Sequence, residues 1–394
     1  MTSATRSTAA GDSLVSLGWR PTWWNRSAPL FFVRMALVRE GAFLSVTLAA
    51  CAVAAAVATF QFAVFASFMR AGAVMPRSIS ADFWLTGSTV ECFDFPDPIA
   101  EDYDAALIRY LPPASFRRVV FGFVPWRSPD GRRGNVAVVG VDGDDLPADG
   151  FAVDRSDLGR LDLTDGAGQP ALQAEATLGG RTLRMARVRD DMATFLGAPY
   201  VRVPFETGRE LLRMDPGTVS FLAGNFRSGE ARDLPQVERR ATQIFPDIAL
   251  VSDAGFEASS ARYWLRKTGA GMAILLAALL AAVLMTILLA NGIARFMQRF
   301  EQDLLSLLGH GASEREISII VTLVAGAIGV GTAAIVLTLA PLSIWLSRPL
   351  LPWVEFRWVD MVAPMLAVLV AVAIAIFSAR RAIAAFDPAA VFRN

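Results

Sequence analysis

The fold of this chain is decided by residues 41–69, GAFLSVTLAACAVAAAVATFQFAVFASFM. The stretch contains 29 residues between Glu40 and Arg70, and none of them is charged. An α-helix needs about 20 apolar residues to cross the ~30 Å hydrocarbon core of a bilayer. The stretch therefore predicts a transmembrane helix.

Three further uncharged runs follow it in the chain. They contain 27 residues after Lys267, 31 after Glu316 and 19 after Asp360, in a sequence that is 54% hydrophobic. Helices of a soluble core keep a polar face, which these runs lack. The first run begins after residue 40 and exceeds the roughly 7–15 apolar residues of a signal peptide. We expect a membrane α-helical protein with four transmembrane helices and an inserted mixed α/β extracytoplasmic domain between the first and second.

The charges divide the chain further. Residues 29–40 combine apolar side chains with Arg34 and Arg39, which predicts either an amphipathic interfacial helix or the first turns of span 1. We expect these segments: 1–28 cytoplasmic tail, 29–40 amphipathic interfacial helix, 41–69 TM1, 70–267 extracytoplasmic (periplasmic) α/β domain, 268–294 TM2, 295–316 cytoplasmic coupling loop, 317–347 TM3, 348–360 short external loop, 361–379 TM4 and 380–394 cytoplasmic C-terminus.

Arginine positions set the orientation. The segments 1–40, 295–316 and 380–394 hold eleven arginines, whereas the short loop 348–360 holds two. Because positive residues accumulate on the cytoplasmic side, both termini are predicted to be cytoplasmic. Trp264, Trp345, Trp353 and Trp358 lie at the predicted ends of spans, where indole rings favour the membrane interface. We expect the inner (cytoplasmic) membrane of a bacterial cell as the location.

The segment 70–267 is predicted to combine strands and helices. Its 24 basic and 28 acidic residues give a net charge of −4, which argues against nucleic-acid binding. The acidic residues between Glu91 and Asp104 lack the glycine and spacing of an EF-hand loop, so they are interpreted as a solvated surface. The predicted strands are 119–126, 135–141, 182–188, 200–205, 219–222 and 248–251, and the predicted helices are 103–111 and 238–244.

Several catalytic chemistries are excluded by composition. The chain has one histidine, His310, so a metal site built from several histidines is not expected. Its one lysine, Lys267, is not part of a phosphate-binding loop, so the chain is not expected to bind ATP as a P-loop enzyme by itself. We expect a non-catalytic subunit that binds no cofactor itself. Cys51 lies inside span 1 and Cys92 outside it, so no disulfide is expected.

The predicted spans contain no charged residue or histidine. Ion-coupled transporters usually need ionisable groups within the membrane. The glycines of span 3 (Gly326, Gly329 and Gly331) are instead interpreted as sites of close helix packing. These properties favour helices that move as rigid bodies over helices that conduct ions.

Three stretches resemble FtsX/MacB-type (type VII) ABC transporter permeases, with the DevC branch most similar. They are residues 29–70, beginning PLFFVRMALVRE; residues 295–321, RFMQRFEQDLLSLLGHGASEREISIIV; and residues 379–394, ARRAIAAFDPAAVFRN. ADFWLTG (81–87) and VAVVGVD (136–142) also fit the order of the family. The resemblance spans roughly residues 29–394. In this family the second stretch contains a short helix that docks on the ATPase subunit, which we call the docking helix. One departure is that His310 and Gly311 separate Leu308-Gly309 from Ala312-Ser313. The glycine pair predicts that the docking helix ends near residue 308.

The resemblance implies mechanotransmission. A separate ATPase dimer, holding ATP and Mg, would move the coupling loop and thereby the exterior domain. The residues implied in ATPase coupling are Phe300, Glu301, Asp303, Leu304, Leu305, Leu307, Leu308, Gly309, Ser313, Glu314 and Arg315, and those of the C-terminal family element are Asp387, Pro388, Ala389 and Phe392. Phe300 and the four leucines are expected to form the buried face of the docking helix.

Three functions remain open from sequence. The first is a permease subunit of an ABC export system for an amphiphilic substrate (lipid, glycolipid, lipoprotein or peptide). Its partners would be an ATPase, a second permease copy or a paired permease, the lipid bilayer, and a periplasmic adaptor with an outer-membrane channel. The second is an FtsX-like signal transducer that regulates a cell-wall enzyme. The third, a membrane-anchored receptor or enzyme, is disfavoured because the largest predicted cytoplasmic piece has only about 40 residues.

Overall fold

The computed structural model describes residues 24–107, 114–226, 238–239, 241 and 243–384. The described chain divides into two compact units. Of the described residues, unit 1 comprises those in 24–58, 280–339 and 362–384, and unit 2 comprises those in 59–279 and 340–361. Three of the long helices contain residues of both units.

In the described part of the chain, four helices are long and apolar enough to cross a membrane, as the uncharged runs predict. They span Gly41–Ala71, Ala270–Arg299, Glu314–Ser347 and Trp358–Ile383. The last of these begins with a 3₁₀ turn, Trp358–Met361, that leads into the α-helix Val362–Ala384. We label the α-helices in chain order: α1 Trp24–Arg39, α2 Gly41–Ala71, α3 Val74–Ile79, α4 Tyr103–Leu107, α5 Phe205–Leu212, α6 Asp253–Arg266, α7 Ala270–Arg299, α8 Glu301–Gly309, α9 Glu314–Ser347 and α10 Val362–Ala384.

Helix α1 is separated from α2 by a one-residue break at Glu40. The backbone hydrogen bonds from Glu40 to Ala36 and from Leu44 to Glu40 persist through the break. The structure thus has two helices joined at Glu40, and the position of α1 on the membrane surface stays a prediction. The exposed side of α1 includes Leu30, Phe31 and Val38, which suits a position against lipid.

Unit 2 is built on a nine-stranded mixed sheet with the order β11-β1-β10-β3-β4-β8-β5-β7-β6. The strands are β1 Phe83–Gly87, β2 Ile99–Ala100, β3 Ala114–Arg127, β4 Arg133–Val141, β5 Gly150–Asp154, β6 Glu175–Leu178, β7 Arg181–Arg189, β8 Tyr200–Pro204, β9 Thr218–Val219, β10 Phe221–Phe226 and β11 Ile248–Ser252. Strands β2 and β9 form a separate pair.

Six strands of the sheet close into a ring. Strand β6 pairs with β7 on one side and with the end of β3 on the other, through Trp126–Leu178 and Arg127–Thr177. Alternate side chains point into the ring and form its core, as expected for a period of two in strands. This core includes Val124, Trp126, Val136, Val138, Phe151, Val153, Leu183, Met185, Val201 and Val203.

The predicted strands and helices of the exterior domain lie within or across observed elements. Strands 119–126 and 135–141 fall inside β3 and β4, and Ser128–Gly131 lies in the turn between them. Helix 103–111 is observed at 103–107, and residues 108–113 lie outside the described residues. Residues 238, 239, 241, 243 and 244 are helical, and 240 and 242 are not described. Strands β1, β2, β5 and β6 were not predicted.

Candidate coupling site and exterior junction

The candidate coupling site lies in unit 1, where α7 bends into α8. The bend is at Phe300, whose side chain is only 1% exposed. Its ring packs edge-to-face on Phe32 of α1, with the ring centroids 5.6 Å apart, and lies 4.8 Å from the ring of Phe296 of α7. An aromatic contact of this kind holds three helix segments together at one point. Displacement of α8 would therefore act on α1 and α7 together.

Two ion pairs flank this aromatic contact. Arg39 at the end of α1 donates to Asp303 of α8 over 3.1 Å, and its guanidinium lies 5.9 Å from the Phe300 ring. Arg299 at the end of α7 pairs with Glu40 in the break between α1 and α2. Exposed ion pairs contribute little free energy, so the aromatic contact is the main support of the bend.

The connection from α8 to α9 is a tight turn closed at both ends. Gly311, with φ +93°, lies just beyond the end of α8 and terminates the helix. Its N–H donates to Leu308 O, and the N–H of Ala312 donates to Leu307 O. This is the Schellman arrangement, in which glycine adopts the left-handed conformation at low cost. Ser313 and Glu316 then form a capping box, with both the N–H and the hydroxyl of Ser313 donating to Glu316 Oε2. Helix α8 ends at Gly309, close to the predicted position.

The predicted coupling residues divide into two groups by exposure. Phe300 and Leu304 are buried within the chain at 1% and 0% exposure, so here they hold the bend. The outward surface consists of half-buried and exposed side chains, which we call the docking surface: Leu305, Leu307, Leu308, Gly309, Ser313, Glu314 and Arg315. Glu301 and Asp303 occupy the first turn of α8, where carboxylates favour the helix dipole.

The predicted packing glycines of span 3 differ in their surroundings. A Cβ at Gly329 would lie 2.5 Å from Val372 of α10, and one at Gly331 would lie 3.0 Å from Leu48 of α2. A Cβ at Gly326 would meet no atom within 4 Å. Close approach is therefore found at Gly329 and Gly331. The C-terminal family element, Asp387, Pro388, Ala389 and Phe392, lies outside the described residues.

An aromatic cluster in unit 2 joins the ends of the spans to the exterior domain. Phe195, in the loop before β8, lies 4.5 Å from the ring of Phe68 of α2 and 4.9 Å from that of Trp264 of α6. Trp353, in the loop between α9 and α10, lies 6.1 Å from Phe195. We call Phe68, Phe195, Trp264 and Trp353 the exterior junction. The Trp264 and Trp353 positions were predicted from the aromatic belt, whereas Phe195 was not.

Polar contacts strengthen the same junction. The guanidinium of Arg70 forms a bidentate pair with Asp360, with N–O distances of 2.9 and 3.0 Å. Ser67 donates to Glu355 O and accepts from Glu355 N–H. Bidentate arginine–carboxylate pairs are among the stronger polar contacts in proteins. The end of α2 is thereby fastened to the loop between α9 and α10.

Asp94 corrects the prediction that the acidic residues 91–104 form a solvated surface. Its side chain is buried, with Oδ1 accepting from the Tyr200 hydroxyl at 2.5 Å and Oδ2 accepting from Trp264 Nε1 at 3.1 Å. Burial raises the pKa of this carboxyl above its ordinary value, and the hydrogen bonds oppose that shift. Asp94 therefore links β8 to the helix that leads into span 2. Sequence spacing gave no sign of it because the partners lie more than 100 residues away.

Cys51 and Cys92 are both free and buried in the structure. Within the described residues, no group of three or more His, Cys, Asp and Glu side chains is arranged to hold a metal ion. The described part of the coupling site consists of packing and charge contacts.

No protein-family model matches the chain, and no curated protein matches it significantly. Among solved structures, the periplasmic region of MacB from Actinobacillus actinomycetemcomitans is similar, with 8% identity, a TM-score of 0.35, and coverage of 46% of this chain and 94% of that one. The extracellular domain of the noncanonic ABC-type transporter YknZ from Gram-positive bacteria is also similar, with 10% identity, a TM-score of 0.30, and coverage of 44% and 99%.

Proposed function

We propose that this chain is the permease subunit of an ABC export system of the FtsX/MacB type, with the DevC branch as its nearest relatives. The observation that carries the proposal is the bend at Phe300, where the residue that begins the turn into α8 packs on both α1 and α7. Helix α1 leads into span 1, and α7 is span 2. A force on α8 therefore reaches the two spans that flank the exterior domain in sequence.

The mechanism we propose is mechanotransmission. A separate ATPase dimer binds ATP and Mg, closes, and displaces the docking surface. The rigid turn at Gly311–Ser313 prevents this displacement from being absorbed locally. Spans 1 and 2 then move the exterior domain, to which the exterior junction fastens their outer ends. The uncharged spans suit this role because a lever needs no intramembrane charge.

The substrate we propose is amphiphilic: a lipid, glycolipid, lipoprotein or peptide. It is exported or extracted by the exterior domain without crossing through the helices. Two permease chains act together, and a periplasmic adaptor with an outer-membrane channel completes the pathway. The chain resides in the inner membrane with both termini cytoplasmic, as the arginine distribution indicates.

Affinity purification tests the proposal. The tagged chain is purified from its host in mild detergent, together with a Leu305→Asp/Leu307→Asp double variant. These leucines are half-buried in the chain, so charges there disrupt a partner surface without opening the core. The matched control is Leu172→Asp, an exposed leucine (59%) of the exterior domain.

We expect an ATPase to copurify with the wild type and with Leu172→Asp, and to be lost from the double variant, which should still insert in the membrane. Recovery of a cell-wall hydrolase together with an ATPase would instead support the FtsX-like signalling role. Recovery of no ATPase, or equal recovery with the double variant, would contradict the proposal.

A further inference from the structure

A cleft in unit 2 lies beside the exterior junction. Its volume is about 370 Å³, and its lining includes Arg70, Arg77, Arg189 and Arg357 together with Trp353. Three carboxylates, Asp190, Asp191 and Glu355, also contribute to the lining. The cleft is large enough for the polar headgroup of a lipid, and neither the coupling mechanism nor the sequence resemblance assigns it a role.

The sequence positions of the lining place the cleft at the level of the lipid headgroups. Arg70 is the first charged residue after the apolar run of span 1, and Ser67 within that run also lines the cleft. Trp353 and Arg357 belong to the short segment between spans 3 and 4. Tryptophan and arginine at the ends of spans lie at the boundary between hydrocarbon and water.

The four guanidinium groups differ in how many of their N–H donors are already hydrogen-bonded. Arg70 is held by Asp360 through two hydrogen bonds, and Arg189 is held by Asp191 through distances of 2.8 and 2.5 Å. The side chains of Arg77 and Arg357, by contrast, are about half exposed, at 47% and 54%. Each of these two guanidinium groups makes a single described hydrogen bond. A guanidinium carries five N–H donors, so both retain donors for a ligand.

We propose that this cleft binds the headgroup of a zwitterionic, amine-bearing phospholipid. The phosphodiester is bound by the guanidinium groups, with Arg77 and Arg357 supplying the available donors, since arginine suits planar, charge-assisted contacts to phosphate oxygens. The ammonium group lies beside the lining carboxylates and donates its N–H groups to them, as a quaternary ammonium cannot. Asp190 and Glu355 already pair with Arg155 and Arg357, but both carboxylates are more than half exposed and keep acceptor sites. Those carboxylates disfavour a purely anionic headgroup or free phosphate. Such a ligand would bind the same guanidinium groups but would bring no positive charge to offset its repulsion by the carboxylates.

Binding to the full chain tests this inference. The chain is purified in a non-phospholipid detergent and titrated by calorimetry with four probes: dihexanoyl-phosphatidylethanolamine, dihexanoyl-phosphatidylglycerol, dihexanoyl-phosphatidylcholine and inorganic phosphate. The variants are Arg357→Gln and Arg77→Gln/Arg357→Gln. Both arginines form partly exposed ion pairs, so the fold should tolerate their loss. The control is Arg133→Gln, an exposed arginine of β4 outside the cleft.

We expect the phosphatidylethanolamine probe to bind most tightly, and the double variant to bind it about tenfold more weakly. Arg357→Gln should give an intermediate loss, and Arg133→Gln should bind as the wild type does. Equal or tighter binding of phosphatidylglycerol, phosphatidylcholine or inorganic phosphate would overturn the assignment. So would undiminished binding in the double variant. The result does not depend on an ATPase, so it is independent of the proposed coupling function.

Discussion

At the scale of single residues, Asp157 shows how burial controls ionisation in the exterior domain. Its side chain is 1% exposed and pairs with Arg160 over 2.8 Å, while its Oδ2 atom has no hydrogen-bond partner. Burial raises the pKa of this carboxyl from 3.8 to about 6, although the charge of Arg160 acts in the opposite direction. The folded chain therefore binds this proton more tightly than the unfolded chain does.

The consequence is a predicted loss of stability as pH rises from about 4 to 6. The proton on Asp157 is retained in the folded state throughout that window and is lost from the unfolded state. At pH 7.5 the ionised carboxylate should cost on the order of 3 kcal/mol relative to its neutral form. Asp157→Asn should therefore flatten the pH dependence of the free energy of unfolding, measured by tryptophan fluorescence of the full chain in detergent. A variant with the same slope between pH 4 and 6 as the wild type would contradict this.

The glycines of span 3 give a matched pair of substitutions in one helix. A side chain at Gly329 meets Val372, whereas one at Gly326 meets nothing. Gly329→Val should destabilise the helix packing by about 1–3 kcal/mol. Thermal unfolding in detergent should show a lowered midpoint for Gly329→Val and an unchanged one for Gly326→Val. Equal effects of both variants would mean that the packing interpretation is wrong.

For single residues, the sequence predicted the type of interaction more accurately than the surroundings of each side chain. It found that the three span-3 glycines are small residues in an apolar run, but it had no information on which helix lies opposite each one. It also assigned Asp94 to a solvated surface, because neighbouring carboxylates usually are solvated. The partners that bury Asp94, Tyr200 and Trp264, come from distant parts of the chain.

At the scale of elements, the bend between α7 and α8 depends on apolar packing more than on charge. Phe300 is buried among aromatic rings, whereas the Arg39–Asp303 pair is 60% and 39% exposed. Phe300→Ala should therefore cost about 3–5 kcal/mol, and Arg39→Ala less than about 1 kcal/mol. Thermal unfolding of both variants in detergent provides the comparison. A larger loss for Arg39→Ala would show that charge, and not the aromatic contact, holds the bend.

The elements themselves were predictable where their patterns are long or alternating. The four uncharged runs correspond to four long helices, and β3, β4 and β7 were found through their β-branched and aromatic residues. Strands β1 and β5 were missed because each is a short strand buried at all five positions, without alternation. The ring of six strands depends on the pairings of β4 with β8 and β5 with β7, which join distant segments.

At the scale of the whole molecule, the account requires the exterior domain and the docking surface to lie on opposite sides of the membrane. Cysteines substituted at Asp130 and at His310 test this, since the native Cys51 and Cys92 are buried and should give little background. In intact cells, a membrane-impermeant maleimide should label the Asp130→Cys variant alone. The His310→Cys variant should be labelled only after permeabilisation. The reverse pattern would contradict the orientation.

We propose that ATP binding by a partner moves the exterior domain through the docking surface. Hydrogen exchange of the purified chain–ATPase complex in lipid nanodiscs, compared with and without ATP, measures this directly. The account predicts an ATP-dependent change in protection around Phe195 and Trp264, weakened when the bend is disrupted by Phe300→Ala. An ATP-hydrolysing complex whose exterior domain shows identical exchange in both states would contradict it.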